Sequence, residues 1–242
     1  MKQTIFTITA NRPLTADVWE MKLAGDTSEI TAPGQFVNIK LDGMFLRRPI
    51  SICDWDSEGL TIIYKVVGKG TEFMTGLPVG KELDILIGLG NGFDIAKCGQ
   101  KTLVIGGGVG VPPMYGVAKA LKTAGKEPVA ILGFNKKEEI FYEEEFKALG
   151  IETIVTTVDG SYGVPGFVTN ALPESYDFFC TCGPGPMLKA VYTSTNTPGL
   201  MSFEERMGCG FGACMGCSCQ TKYGNKRICK DGPVLEKEEI IW

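Results

Sequence analysis

The 242-residue sequence contains no histidine. That absence removes the commonest general base, the commonest zinc ligand and the imidazole pair of a Rieske-type cluster, and it excludes a serine-histidine-aspartate hydrolase. No run of about eighteen apolar residues occurs, and the opening stretch MKQTIFTITANRP breaks its apolar pattern after a few positions, so neither a membrane helix nor a targeting segment is expected. Nor is there a basic block. The 24 Lys and Arg residues stand against 28 Asp and Glu, a net charge of -4, which argues against a nucleic-acid partner. Any reaction here is expected to run on bound cofactors, with the protein supplying position and electrostatics.

What the chain does have is nine cysteines and 32 glycines. Clustered thiols without a signal peptide point to a reducing cytoplasm and to metal or redox chemistry rather than disulfides. Cys53, Cys98 and Cys180 are scattered and read as ordinary core or surface thiols. The stretch from Met207 to Cys229, MGCGFGACMGCSCQTKYGNKRIC, is different. Cys209, Cys214 and Cys217 follow the C-x4-C-x2-C spacing of a plant-type [2Fe-2S] cluster, with Cys229 as the fourth ligand. Four thiolates can wrap a small cage only if the chain turns sharply, and Gly208, Gly210, Gly212 and Gly216 permit such turns while leaving amides free to face sulfur. A four-thiolate structural zinc site is the competing reading of the same residues. Cys219, a fifth thiol nearby, reads as a spare packed against the loop.

From Thr4 to Leu89 the pattern is six short strands, TIFTITA, VWEMKLA, QFVNIKL, PISICDW, LTIIYKVV and ELDILIG, with Pro33-Gly34, Asp42-Gly43 and Pro78-Val79-Gly80 as punctuation. This spacing predicts a small antiparallel barrel. Arg48, in Arg48-Pro49-Ile50-Ser51, offers a fork of donors suited to a diphosphate, and Gly68-Lys69-Gly70-Thr71 offers backbone amides at a helix start. Both suit a phosphate-bearing ligand; an ordinary salt-bridging arginine and a plain turn are the bland alternatives.

After a linker at Gly88 to Gly99 strands begin to alternate with helical patterns, which predicts a doubly wound parallel sheet. Strands are expected near Leu103 to Ile105, Val129 to Phe134, Glu152 to Thr157 and Asp177 to Thr181. Helical stretches are expected from Val109, at Glu138 to Leu149, at Gly166 to Leu172 and at Pro186 to Ser194. Two loops, Gly106-Gly107-Gly108-Val109-Gly110 and Cys182-Gly183-Pro184-Gly185-Pro186-Met187, would meet at the carboxyl edge of the sheet, where ligands bind in open sheets. Leu200 to Arg206 reads as a strand leading into the cluster. Three segments follow: residues 1-98 as barrel, 99-200 as α/β domain and 201-242 as cluster segment.

In this order the motifs resemble the ferredoxin reductase family, and the final loop followed by CKDGPV resembles the electron-transfer subunits of class 1B dihydroorotate dehydrogenases. The resemblance implies FAD on the barrel: Arg48, Pro49, Ile50 and Ser51 along one strand, Ser51 near the reactive edge, Ile63, Tyr64 and Lys65 along the flavin, and Gly70 and Thr71 at the diphosphate. Many relatives carry Tyr where this chain has Ile50. The resemblance further implies NAD(H) at Gly107, Gly108 and Gly110, with Cys182 and Gly183 at the locus of hydride transfer. A buried strand-end thiol is the bland reading of Cys182. NADH is favoured over NADPH, and Lys136 and Lys137 read as a solvated pair. Trp242 is a candidate for stacking on the flavin. The implied partner is an FMN-containing catalytic subunit that oxidises dihydroorotate, joined as two copies of each chain, with electrons passing to NAD+ in pyrimidine biosynthesis. A flavin and iron-sulfur subunit of the NAD(P)H:ferredoxin or sulfide dehydrogenase type is the nearest alternative, and a zinc-stabilised non-catalytic binding module is the alternative from another class.

Overall fold

A computed structural model describes residues 1-242. Six strands close a barrel: β1 (Lys2–Pro13), β2 (Val18–Ala24), β3 (Phe36–Ile39), β4 (Arg48–Trp55), β5 (Gly59–Lys65) and, after the short helix α1 (Lys69–Thr75), β6 (Glu82–Leu89). All neighbours are antiparallel, in the order β1-β2-β5-β4-β3-β6. The last of these strands shows why the pattern closes on itself. ELDILIGL buries every second residue, as a strand with one face on a core must.

The second domain changes period. It contains β7 (Thr102–Gly107), α2 (Val111–Thr123), β8 (Val129–Phe134), α3 (Glu143–Ala148), β9 (Glu152–Thr157), β10 (Val164–Pro165), β11 (Phe178–Cys182), α4 (Gly185–Ser194) and β12 (Gly199–Ser202). TLVIGG of β7 is buried at all six positions, the signature of a parallel strand covered on both faces. The sheet runs β10-β9-β8-β7-β11-β12 in parallel, so the chain winds outward from β7 in one direction and then the other. Pro112 and Pro113 open α2, where their missing amides cost no helical hydrogen bond.

The C-terminal segment adds a hairpin, β13 (Ser218–Thr221) with β14 (Gly224–Arg227), and then β15 (Val234–Glu236), which pairs antiparallel with β12. The expected division at residues 200 and 201 therefore cuts through β12, and the third segment is stitched into the sheet of the second. Strand structure ends at Ser202 rather than Arg206, since Glu204, Glu205 and Arg206 are exposed and pair with no strand. The helix expected from Glu138 to Leu149 is confined to α3, because Tyr142 takes a left-handed φ of 68° at its start. Gly166 to Leu172 holds only a four-residue 3-10 turn, Val168–Ala171.

Two contacts fix the barrel against the sheet domain. Helix α2 lies on β4 so closely that a Cβ at Gly116 would fall 2.8 Å from the Cys53 carbonyl oxygen, and Lys119 pairs with Asp54 at 2.7 Å. Beside them the buried carboxylate of Glu20 accepts from Tyr142 Oη at 2.9 Å and pairs with Arg12 Nε at 2.9 Å. A buried charge needs such partners, so Glu20 anchors the domains in one orientation. Cys53, Cys98 and Cys180 are all buried. No helix is long and apolar enough to cross a membrane.

Candidate functional site

Alternation along β3 and β4 sorts their side chains onto two faces. Val37 and Ile39 enter the barrel core together with Ile52, while Ile50 packs against that core from its edge. Phe36 belongs to a different cluster, shared with Cys217, Ile228, Cys229 and Leu235. Opposed residues on paired strands share a face. Ser51 stands opposite Phe36 and Pro49 opposite Asn38, so Ser51 and Pro49 lie on the outer face, next to the strand that carries the cysteine segment. Further along the same surface Cys53 of β4 and Ile63 of β5 belong to the core built around α2. The strand bearing Ser51 thus lies between the cysteine segment and the sheet domain.

Arg48 and the start of α1 meet. A Cβ at Gly70 would sit 2.1 Å from Arg48 Nε, so glycine is required for the guanidinium to lie over the turn. Thr71 Oγ1 accepts from the amides of Val67 and Gly68 at 2.9 and 3.3 Å and fastens that turn. Arg47 is paired with Asp84 at 2.9 Å, whereas Arg48 donates only to the carbonyls of Leu46 and Arg47 and to Met44 Sδ, with no carboxylate partner. A guanidinium with no carboxylate partner, set over the first turn of α1, fits a diphosphate. Tyr64 departs from a simple flavin-lining role: its ring is buried in the barrel core and its hydroxyl donates to Asn11 Oδ1 at 3.0 Å. Only its backbone can face a ligand outside the barrel. Lys65 pairs with Asp17 at 3.0 Å.

The two glycine loops of the sheet domain also meet. Cys182 is in register with Gly106 on one side and Ser202 on the other. A Cβ at Gly110 would fall 2.2 Å from the Cys182 carbonyl oxygen, and Cβ atoms at Gly107 and Gly183 would strike Met187 at 2.4 and 2.5 Å. These glycines let the two loops pack together, while Gly108 of the same turn faces open space at the carboxyl edge of the sheet and the N-terminus of α2, where a dinucleotide diphosphate fits. Burial pushes the Cys182 thiol up to about 12, against the lowering effect of a Ser202 hydrogen bond. It stays neutral at physiological pH, which makes it a contact surface rather than a base. Met187, which the sequence offers as the last residue of the second loop, lies against the backbones of both loops. Lys137 is engaged over the Tyr162 ring at 5.8 Å, and Lys136 is exposed.

The cysteine loop is held from within. Gly210 and Gly212 take φ of 77° and 93°, and Met215 a φ of 60°, a turn sequence open to few other chains. A Cβ at Gly208 would stand 3.2 Å from Cys214 Sγ. The amides of Ala213 and Cys214 donate to Cys209 Sγ at 3.2 and 3.4 Å, and the amide of Cys229 to Cys217 Sγ at 3.4 Å. Burial raises the Cys209 thiol, yet these amides with that of Phe211, and the Cys214 side chain, outweigh it and bring Cys209 down to about 6. The thiols form two pairs: Cys217 and Cys229 are buried, while Cys209 is half-buried and Cys214 exposed. Arg227 joins the pairs by donating to the Gly212 carbonyl at 2.9 Å while forked onto Asp231. Amides turn onto two of the thiols, Cys209 and Cys217, and a donor set of thiols without carboxylate or imidazole has the chemistry of an iron-sulfur cluster, although in this structure the four thiols are not drawn into one metal-binding group. Cys219, on β13, packs at the margin of the core that holds Cys217 and Cys229. Trp242 lies against Tyr192 and Phe203, ring centroids 6.0 and 5.9 Å away, so its ring is engaged by α4 and the end of β12.

Known proteins match this arrangement. Residues 204-241 match the family described as the iron-sulfur cluster binding domain of dihydroorotate dehydrogenase B, and residues 104-193 the oxidoreductase NAD-binding domain. The chain is 44% identical to the dihydroorotate dehydrogenase B (NAD(+)) electron transfer subunit of Bacillus pumilus over 99% of its own length and 98% of that protein's. The corresponding subunit of Fusobacterium nucleatum is 45% identical over 99% of both chains. Among solved structures, that of an NADH-dependent reduced ferredoxin-NADP oxidoreductase, described in terms of flavin-based electron bifurcation, superposes with a TM-score of 0.90. It is 31% identical over 98% of this chain and 90% of that one. The ferredoxin reductase of carbazole 1,9a-dioxygenase shares the fold, with a TM-score of 0.70 and 23% identity over 80% of this chain and 65% of that one. On full-length identity at this level, the chain belongs to the family of dihydroorotate dehydrogenase B electron transfer subunits.

Proposed function

We propose that this chain works in the cytoplasm as the NAD-linked electron-transfer subunit of a dihydroorotate dehydrogenase in pyrimidine biosynthesis, with FAD and a [2Fe-2S] cluster as its resident cofactors. Its partner is an FMN-containing catalytic subunit that oxidises dihydroorotate, and two copies of each chain form a heterotetramer. The observation that carries this reading is spatial: β4, whose outer face holds Ser51, packs on α2 of the sheet domain and pairs with β3, which contacts the cysteine segment through Asn38. When bound, FAD exchanges a hydride with NAD(H) and single electrons with the cluster.

The residues of the chain supply position. Arg48, Gly70 and Thr71 hold the flavin diphosphate; Pro49, Ile50 and Ser51 line the flavin along β4, with Ile63, Tyr64 and Lys65 contributing backbone from β5. Gly107, Gly108 and Gly110 take the dinucleotide diphosphate, while Cys182 and Gly183 hold the nicotinamide edge. Cys209, Cys214, Cys217 and Cys229 ligate iron. No side-chain proton donor is needed, in keeping with the absence of histidine. Dihydroorotate-driven reduction of NAD+ by this chain mixed with the FMN-containing catalytic subunit, absent with either chain alone, is the expected result. Failure to bind that subunit would overturn it.

The 31% identical NADH-dependent reduced ferredoxin-NADP oxidoreductase, which this chain covers almost fully, favours one second reading, transfer from NAD(P)H to a ferredoxin-type acceptor. It predicts ferredoxin reduction by NAD(P)H in the same preparation and no response to dihydroorotate.

A further inference from the structure

The strand FVNI places a single polar side chain, Asn38, among apolar neighbours. Asn38 is only 2% exposed, and it shares the outward face of β3 with Phe36. Its Nδ2 donates to the carbonyl oxygen of Cys209 at 3.2 Å. The loop is shaped to receive it: a Cβ at Gly210 would lie 2.3 Å from that nitrogen, and Gly210 takes a φ of 77°. On its other side Asn38 stands opposite Pro49. One side chain thus joins the first cluster ligand's backbone to the strand assigned to the flavin.

The second amide atom has no partner. Because the Cys209 carbonyl can only accept, the amide orientation is settled by that bond, and Asn38 Oδ1 is left buried with no hydrogen bond. Native proteins seldom leave such an acceptor unmet. The cluster cannot meet it, since sulfide and thiolate offer acceptors only. A flavin nucleotide carries hydroxyl and ring N–H donors.

We infer that Asn38 is the positioning residue between the two redox groups: Nδ2 holds the cluster loop and Oδ1 accepts a hydrogen bond from the bound flavin. The inference rests on the proposed function, in which a flavin lies along β4. Asn38 transfers no electron or proton. It sets the gap that one electron at a time must cross, two crossings for each hydride taken from NADH.

The test uses the whole chain loaded with FAD, iron and sulfide, and compares Asn38→Asp, Asn38→Leu and Gly210→Ala with wild type. The readouts are FAD dissociation, NADH reduction of the flavin, and the rate and EPR signal of cluster reduction. Asn38→Asp keeps an acceptor and loses the strut, so FAD binding holds while the step from flavin to cluster slows about ten-fold or more. Asn38→Leu loses both, so FAD also binds about ten-fold more weakly, the loss of one hydrogen bond. Gly210→Ala displaces the loop with Asn38 intact, and slows the step without touching FAD. In Gly210→Ala, whose change is confined to the cysteine loop, NADH reduces the flavin at the wild-type rate.

FAD binding to Asn38→Leu as tight as wild type would overturn the acceptor role and leave a water at Oδ1. Cluster reduction at the wild-type rate in Asn38→Asp and Gly210→Ala would overturn the strut. If an Asn38 variant fails to hold its cluster, Gly210→Ala decides the strut and FAD binding to Asn38→Leu decides the acceptor. A wild-type cluster that NADH never reduces would sink the proposed function itself, a separate outcome.

Discussion

The nucleotide edge of the sheet and the cysteine loop are built from the same materials, glycine and cysteine, and do opposite things with them. Around Gly107, Gly110 and Gly183 the glycines are bare so that backbones can approach, and the thiol beside them, Cys182, is pushed up to about 12 by burial and stays neutral. In the cysteine loop Gly210 and Gly212 instead take left-handed backbone angles, and amides turn onto Cys209 to favour its anion. Composition is common to both, and the direction of the amides separates them. On the sheet edge glycine lets two loops pack together; in the cysteine loop it lets amides solvate sulfur in place of water.

The largest effect expected is on the cysteine side alone. Cys214→Ser removes a proposed ligand that is exposed and leaves the cores untouched, so iron and acid-labile sulfide are expected to fall from about two per chain towards zero, and electron transfer to the proposed partner subunit to background. Flavin bleaching by NADH survives. Chemical iron analysis and an anaerobic absorption spectrum check both halves.

On the other side, Gly110→Ala puts a methyl group 2.2 Å from the Cys182 carbonyl oxygen. Backbone must move, and displacement at the hydride locus lowers NADH-driven flavin reduction by about 100-fold while cluster absorption stays intact. Stopped-flow absorbance measures it. Loss of the cluster in this variant would break the separation between the loops.

Gly212→Ala is milder. The new methyl would stand 2.6 Å from Lys230 Cδ and 2.9 Å from its Cβ, so Lys230 has to shift, and the left-handed backbone alone costs ~1–2 kcal/mol, which lowers the melting temperature by roughly 2–8 °C for a chain of this size. The cluster still assembles.

The smallest effect is expected at Cys182. With its folded pKa raised to about 12, it is protonated throughout the working range and loses its proton only above that value. With no histidine in the chain, flavin reduction by NADH is flat from about pH 6 to pH 9, and Cys182→Ala changes the rate by less than about five-fold. A pH-rate profile with an inflection near neutrality that vanishes in this variant would make the thiol a proton carrier.

The regular parts of the molecule were legible because their period betrays them. Six short runs split by turn residues announce the barrel, and strands alternating with helical patterns announce the parallel sheet. The cysteine spacing named its own chemistry. What stayed hidden depends on contacts between distant segments. Nothing local says that Val234–Glu236 returns to β12, that Arg227 reaches Gly212, or that Met187 supports both nucleotide loops. Asn38 offered a faint signal, one polar residue at an outward position of an apolar strand, whose meaning needed the loop 171 residues away. Tyr64 illustrates the reverse case: its motif position is on β5, yet its ring belongs to the barrel core.

The most direct test is an anaerobic titration of the isolated subunit, loaded with FAD, iron and sulfide, with NADH. Flavin and cluster absorbance should both bleach, and an EPR signal from a reduced [2Fe-2S] centre should grow to about one spin per chain. A flavin that bleaches beside a cluster that stays oxidised, although dithionite reduces it, would contradict the path from nicotinamide to sulfur.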